Sequence, residues 1–183
     1  MRASLLVMVA LFALRAQPVM AAEAGAECAF DRAAMLAQDL HSFDQGPHGW
    51  RVLERKPACV TVAADLIADY RGAHPELRQH FDAYLLFWHE GQLRAGSGQY
   101  EQAQALFAQS RLPEDPMFQA WNLYVDGTLA FLRKDGTALR RARDGVAALA
   151  EPRNLDVLDG LLRCIGKPYS EAYGPCRAPR AAQ

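Results

Sequence analysis

Apolar residues recur at helical spacing along almost the whole chain, and no stretch alternates at period two for long enough to predict a strand. The pattern predicts an all-α fold of about eight helices. A first helix over 31–43 is stopped by Gln45-Gly46-Pro47-His48-Gly49. Pro57 opens a second over 58–71, which ends at Gly72 ahead of Pro75. The third, 75–95, carries the apolar run FDAYLLFW from Phe81 to Trp88 and ends in Gly96-Ser97-Gly98. A fourth over 100–112 places Ala103, Leu106, Phe107 and Ser110 on one face, and Pro113-Glu114-Asp115-Pro116 then breaks the chain. Further helices follow to about Arg133, over 137–150, over 154–165, and, in short form, over 168–173.

The N-terminus departs from this amphipathic pattern. Arg2 precedes the apolar run LLVMVALFAL at 5–14, and the stretch after it ends in Val19-Met20-Ala21, a small-x-small site for signal peptidase. A membrane span needs roughly 20 apolar residues; this run is much shorter and is followed by Arg15 and Pro18. Residues 1–21 therefore read as a cleaved secretory signal and 22–183 as a single helical domain with a periplasmic or secreted destination. Cys28, the first cysteine, follows Glu27 rather than the small residue a lipid anchor requires. The processed chain is accordingly expected not to span a membrane.

Removing the signal takes two arginines from 20 cations set against 21 acids and leaves a net charge of −3, too acidic overall for a nucleic-acid partner. The four cysteines are even in number, as in compartments where disulfides persist. Three pairings are possible, and Cys28 with Cys59 and Cys164 with Cys176 are expected because each closes a short loop. No CxxC pair points to zinc, so neither a metal nor another cofactor is expected.

An internal repeat emerges when alternate helices are superposed. Trp88-His89-Glu90-Gly91-Gln92-Leu93 returns as Tyr124-Val125-Asp126-Gly127-Thr128-Leu129 and again as Val157-Leu158-Asp159-Gly160-Leu161-Leu162. The glycines Gly91, Gly127 and Gly160 stand 36 and 33 residues apart, a helical-hairpin period. Glycine inside a helix costs about 1 kcal/mol against alanine, so three at equivalent places imply close packing, with Ala103 and Ala172 as the facing small residues.

The segment from Gly91 to Phe107 resembles the tetratricopeptide repeat, with Gly91, Gly98, Tyr100, Ala103 and Phe107 at that family's small and large apolar positions. The resemblance implies a short solenoid of stacked antiparallel hairpins with units at 75–112, 113–150 and 151–180, the last truncated, preceded by N-terminal helices in 22–74. It departs from the family where Glu90, Asp126 and Asp159 replace leucine, and residues 22–74 fit no unit. It further implies a concave, partner-facing row at Trp88, Gln92, Trp121, Tyr124 and Thr128; the competing reading places these residues in the core. A Cys164–Cys176 bond would cap the stack.

Few residues carry candidate chemistry. His80 and His89 lie nine apart without zinc-protease spacing, and Ser97 stands in a GSG turn, so all three read as ordinary polar residues and no catalytic residue is assigned. Glu90, Asp126 and Asp159 either stack into an acidic row or are solvated or paired locally. Arg133, Lys134, Arg140, Arg141 and Arg143 form a basic cluster, either a solvated face or a patch for an acidic surface. The expected function is a non-enzymatic envelope scaffold binding a protein or peptide. Its alternatives are an inhibitor or immunity-type protein neutralising a toxic hydrolase, and an enzyme of unrecognised type.

Overall fold

A computed structural model describes residues 25–177; the signal read at 1–21 lies outside the described residues. Among them the chain is all-helical, with ten α-helices: α1 (Arg32–Leu36), α2 (Leu40–Gln45), α3 (Arg51–Glu54), α4 (Val60–Ala73), α5 (Tyr84–Gly96), α6 (Tyr100–Gln109), α7 (Gln119–Leu132), α8 (Gly136–Ala147), α9 (Leu155–Arg163) and α10 (Tyr169–Tyr173). Consecutive helices pack as hairpins, α5 on α6, α7 on α8 and α9 on α10. Disulfides join Cys28 to Cys59 and Cys164 to Cys176, the pairing expected from the sequence. Among the described residues no helix is long and apolar enough to cross a membrane.

The N-terminal half corrects the expected elements. The helix predicted over 31–43 is two helices, because Asp31 and Asp39 each act as an N-cap. Asp31 accepts the Ala34 N–H at 3.0 Å, and Asp39 accepts the Ser42 N–H at 3.0 Å and its hydroxyl at 2.7 Å. Periodicity continues across such a cap, so the break is invisible to it. The helix predicted from 75 begins only at Tyr84. Before it the chain makes two 3-10 turns, Pro75–Gln79 and Phe81–Ala83, separated by His80 in an extended conformation. Helix α3 was not expected.

Two apolar cores share helix α5. Leu86 and Leu93 face the N-terminal core with Phe43, Trp50, Leu53, Leu66, Ile67 and Tyr70, whereas Trp88 and Ala95 face the second core with Phe107, Tyr124, Val125, Leu158 and Tyr169. Burial on two sides explains why this segment is so apolar. The C-terminal helix α10 packs on α9 and returns to α5. Tyr169 sits among Phe107 of α6 and Phe131 of α7, and Gln92 of α5 donates to the Tyr173 hydroxyl at 2.8 Å.

The repeated glycines mark close approaches, with partners that differ between hairpins. A Cβ at Gly160 would lie 2.9 Å from the backbone oxygen of Ala172, and one at Gly127 would lie 2.5 Å from Leu158 Cδ2 and 3.3 Å from Ala142 Cβ. In the first hairpin the nearest atoms belong to the Phe107 ring, at 2.8 Å, rather than to Ala103.

Candidate functional site

The expected partner-facing row is largely filled by the chain itself. Trp88, Tyr124 and Thr128 are buried in the second core. Trp88 packs on Phe107 and Tyr124, each at 4.6 Å between ring centroids, while Thr128 donates its hydroxyl to the Tyr124 carbonyl. Gln92 is engaged by Tyr173. Gln92 and Tyr173 tie α10 to α5, and the row presents no open groove at Trp88, Tyr124 or Thr128. Trp121, like Gln92, is only partly buried, its indole N–H donating to the Ser110 carbonyl at 2.7 Å.

The three acids that replace leucine form no acidic row, since each is taken by an arginine from the helix, or helix end, that precedes it. Arg71 of α4 donates to buried Glu90, which also meets Arg94 at 3.4 Å. Arg111, just beyond α6, donates to Asp126, and Arg143 of α8 donates to Asp159 at 2.7 Å. These carboxylates push the guanidinium groups of Arg111 and Arg143 further above their ordinary range. The pairs join successive hairpins, and they divide the expected basic cluster. Arg143 is committed to Asp159 and Asp144, whereas Arg133, Lys134, Arg140 and Arg141 lie exposed.

The two most exposed large apolar side chains among the described residues lie where the chain enters α5 and α7. Met117 is 79% exposed and Phe81 55% exposed, both in the 3-10 turns that precede those helices. Phe81 contacts Phe118 at 5.4 Å and Tyr84 at 5.7 Å; Tyr84 meets Trp121 at 4.9 Å, and Trp121 meets buried Trp88 at 4.9 Å. The aromatic ladder therefore runs from solvent into the core. Its outer end lines a groove of about 460 Å³ with Met117, Phe118 and Trp121, closed on the far side by Glu151, Arg153 and Asn154 ahead of α9. Local sequence builds this edge. Asp115 accepts the Met117 N–H at 2.8 Å, fixing the turn after Pro116, and His80 accepts the Asp82 N–H at 3.2 Å, fixing Phe81 outward of α5. Burial, together with the charge of Asp82, pushes the Tyr84 phenol above its ordinary range, so it stays neutral.

Sequence reasoning missed Phe81, Met117 and Phe118 because the helical pattern runs through 81 and the proline-rich break at 113–116 drew no attention to the residues after it. The proline and the aspartate cap were the available signal. His89, read as an ordinary polar residue, sits on a buried carboxylate, its Nδ1 2.8 Å from Asp44 Oδ1. His80 and Ser97 are local: Ser97 donates to the Leu93 carbonyl at the end of α5. Comparison with protein-family models, with curated proteins and with solved structures finds no match to this chain.

Proposed function

We propose that this chain is a non-enzymatic binding protein of the cell envelope, exported by its N-terminal signal to the periplasm, and that its hairpins are divergent tetratricopeptide-like units. Its partner is a protein or peptide that inserts an apolar side chain into the groove at the entry to α5 and α7. The exposure of Phe81 and Met117 at the mouth of an aromatic-lined groove carries this reading. Burying such a side chain fully contributes about 1.5–3 kcal/mol, and a fold that holds two of them outward forgoes that gain. The rings below are already packed, so little ordering is needed on binding. Glu151 and Arg153 line the groove as an ion pair, and exposed Asp82 and Asp115 stand, respectively, next to Phe81 and two residues before Met117 in the chain. An apolar anchor flanked by basic residues is the complementary segment. The two disulfides support an oxidising destination.

A photoreactive phenylalanine placed at Met117 and, as a control, at exposed Arg141 tests this in the native host. A discrete protein adduct from position 117 is expected, lost when Phe81→Ser is added and absent from position 141. No adduct at 117, or one that persists with Phe81→Ser, refutes the docking site. Sequencing the exported chain from its N-terminus checks cleavage after Ala21.

A further inference from the structure

A second concavity, sharing no lining residue with the aromatic groove, opens between α3, α5 and α10. It measures about 440 Å³, within the range of small-ligand sites, and is lined by Arg51, Glu54, His89, Gln92, Tyr169 and Tyr173 among others. Its polar groups are held in place from behind. Asp44 is buried and accepts from Trp50 Nε1 at 3.0 Å, from Gln45 at 2.6 Å and from His89 Nδ1. Burial pushes its carboxyl up, but the hydrogen bonds and the nearby His89 outweigh this and hold it below the ordinary aspartate range. An ionised carboxylate only accepts, so His89 carries its proton on Nδ1 and turns Nε2 away from Asp44.

Arg51 completes the arrangement. Its Nε donates to the Asp44 carbonyl at 3.0 Å, its guanidinium lies 4.2 Å over the Trp50 ring, and one terminal nitrogen stands 3.5 Å from His89 Nε2. Three fixed neighbours leave the outer edge of a planar donor fork directed to the cleft. Facing it, Glu54 sits 3.7 Å away and half exposed, a loose partner. On the other wall the Tyr173 hydroxyl accepts from Gln92 at 2.8 Å. The Tyr169 hydroxyl is buried without a well-formed hydrogen bond among the described residues, with the Gln92 amide beside it. Burial pushes the Tyr169 phenol well above its ordinary range, so it stays neutral.

We infer that this cleft is a binding site for a carboxylate carried on a small apolar or aromatic body. The carboxylate takes the Arg51 fork in place of Glu54, and its body lies against the Tyr169 and Tyr173 rings, Val60 and Leu93. An arginine held from three sides, with only Glu54 as a loose partner, is a preorganised seat for a carboxylate. The carboxylate belongs either to a free organic acid or to the end of a peptide.

Isothermal titration of the oxidised exported protein tests the assignment with three probes: N-acetylphenylalanine, its carboxamide, and an N-acetylated peptide ending in phenylalanine. The free acid is expected to bind saturably and the amide at least about tenfold more weakly. Arg51→Gln reduces acid binding by a similar factor, while Glu54→Gln strengthens it by removing the competing carboxylate. Arg51→Lys, which keeps the charge but loses the fork, binds the acid more weakly than the parent while its thermal midpoint shows that it folds. Binding of the acid alone identifies a metabolite-sized ligand, and binding of the peptide as well identifies a chain end. Equal affinity for acid and amide, no saturable binding of any probe, or an unchanged affinity in folded Arg51→Gln overturns the site.

Discussion

Replacing the repeated glycines by alanine separates helix propensity from packing. Glycine to alanine within a helix contributes about 1 kcal/mol in favour of the helix, and less near its end. Gly72, in the last turn of α4, has nothing within 4 Å of an added Cβ, so Gly72→Ala is expected to stabilise by about 0.5 kcal/mol. At Gly160 the same methyl would stand 2.9 Å from the Ala172 oxygen, 3.0 Å from Arg177 Cγ and 3.3 Å from the Arg177 nitrogen. Two of these are backbone atoms and cannot rotate away. Their segment is also tied down: Cys176 bonds Cys164, and Arg163 donates to the Cys176 carbonyl at 2.9 and 2.6 Å.

To accept the methyl, α10 must retreat from α9 and lift Tyr169 and Ala172 out of the core. Overpacking of this kind costs about 1–3 kcal/mol, which exceeds the propensity gain, so Gly160→Ala is expected to lose about 1 kcal/mol net. Gly127→Ala should fall between the two, since its nearest neighbour is the tip of Leu158, a side chain that is flexible but fully buried. Urea unfolding followed by far-UV circular dichroism, with both disulfides intact, measures the three against the parent. If Gly160→Ala stabilises as much as Gly72→Ala, close approach does not explain the repeated glycines.

The three acids at equivalent positions should differ in cost, because their exposure differs. Glu90 is 5% exposed, Asp159 31% and Asp126 48%. Glu90→Gln leaves Arg71 without its buried counter-charge and is expected to lose about 3 kcal/mol, whereas Asp126→Asn should lose under about 1 kcal/mol; the same unfolding assay ranks them. Asp44→Ala strands the donors of Trp50 and His89 and is expected to cost about 2–3 kcal/mol at neutral pH. The folded-state pKa of Asp44 is lowered, so its contribution is complete above the unfolded value near 4 and is lost as pH falls through the folded value. The gap between parent and Asp44→Ala should therefore narrow in unfolding curves taken below about pH 4; a gap independent of pH would remove the carboxylate from the account. Cys164→Ser with Cys176→Ser should cost about 3 kcal/mol in the same unfolding assay; an unchanged midpoint would mean that the helix docks without its tether.

Helix type and the disulfide pairing were legible because both rest on local spacing. The buried residues of α6 and α8 keep one face, and the paired cysteines stand 31 and 12 residues apart. Boundaries in the N-terminal half were not legible in the same way. Asp31 and Asp39 stop and restart the helix through side-chain hydrogen bonds that leave the apolar rhythm intact, and His80 does the same ahead of α5. The Asp44–His89–Arg51 arrangement was hidden for a different reason. Its members lie up to 45 residues apart on three helices, one of them the unexpected α3, and no short motif joins them.

The row expected to face a partner was misplaced by a long-range effect. Trp88, Tyr124 and Thr128 are buried, as the competing core reading has it, and the short α10 shares that core through Tyr169 and Ala172. A last unit cut short at Gly174-Pro175 leaves α10 only five residues long, too short to persist alone, so it survives by burying Tyr169 and Ala172 against the helices it meets. The disulfide from Cys164 holds it at the distance where that burial is available. The place of α10 has a consequence for function: it brings Tyr169 and Tyr173 beside Arg51 and His89, so that residues distant in sequence line one cleft. One truncated hairpin thus accounts for the presence of the cleft.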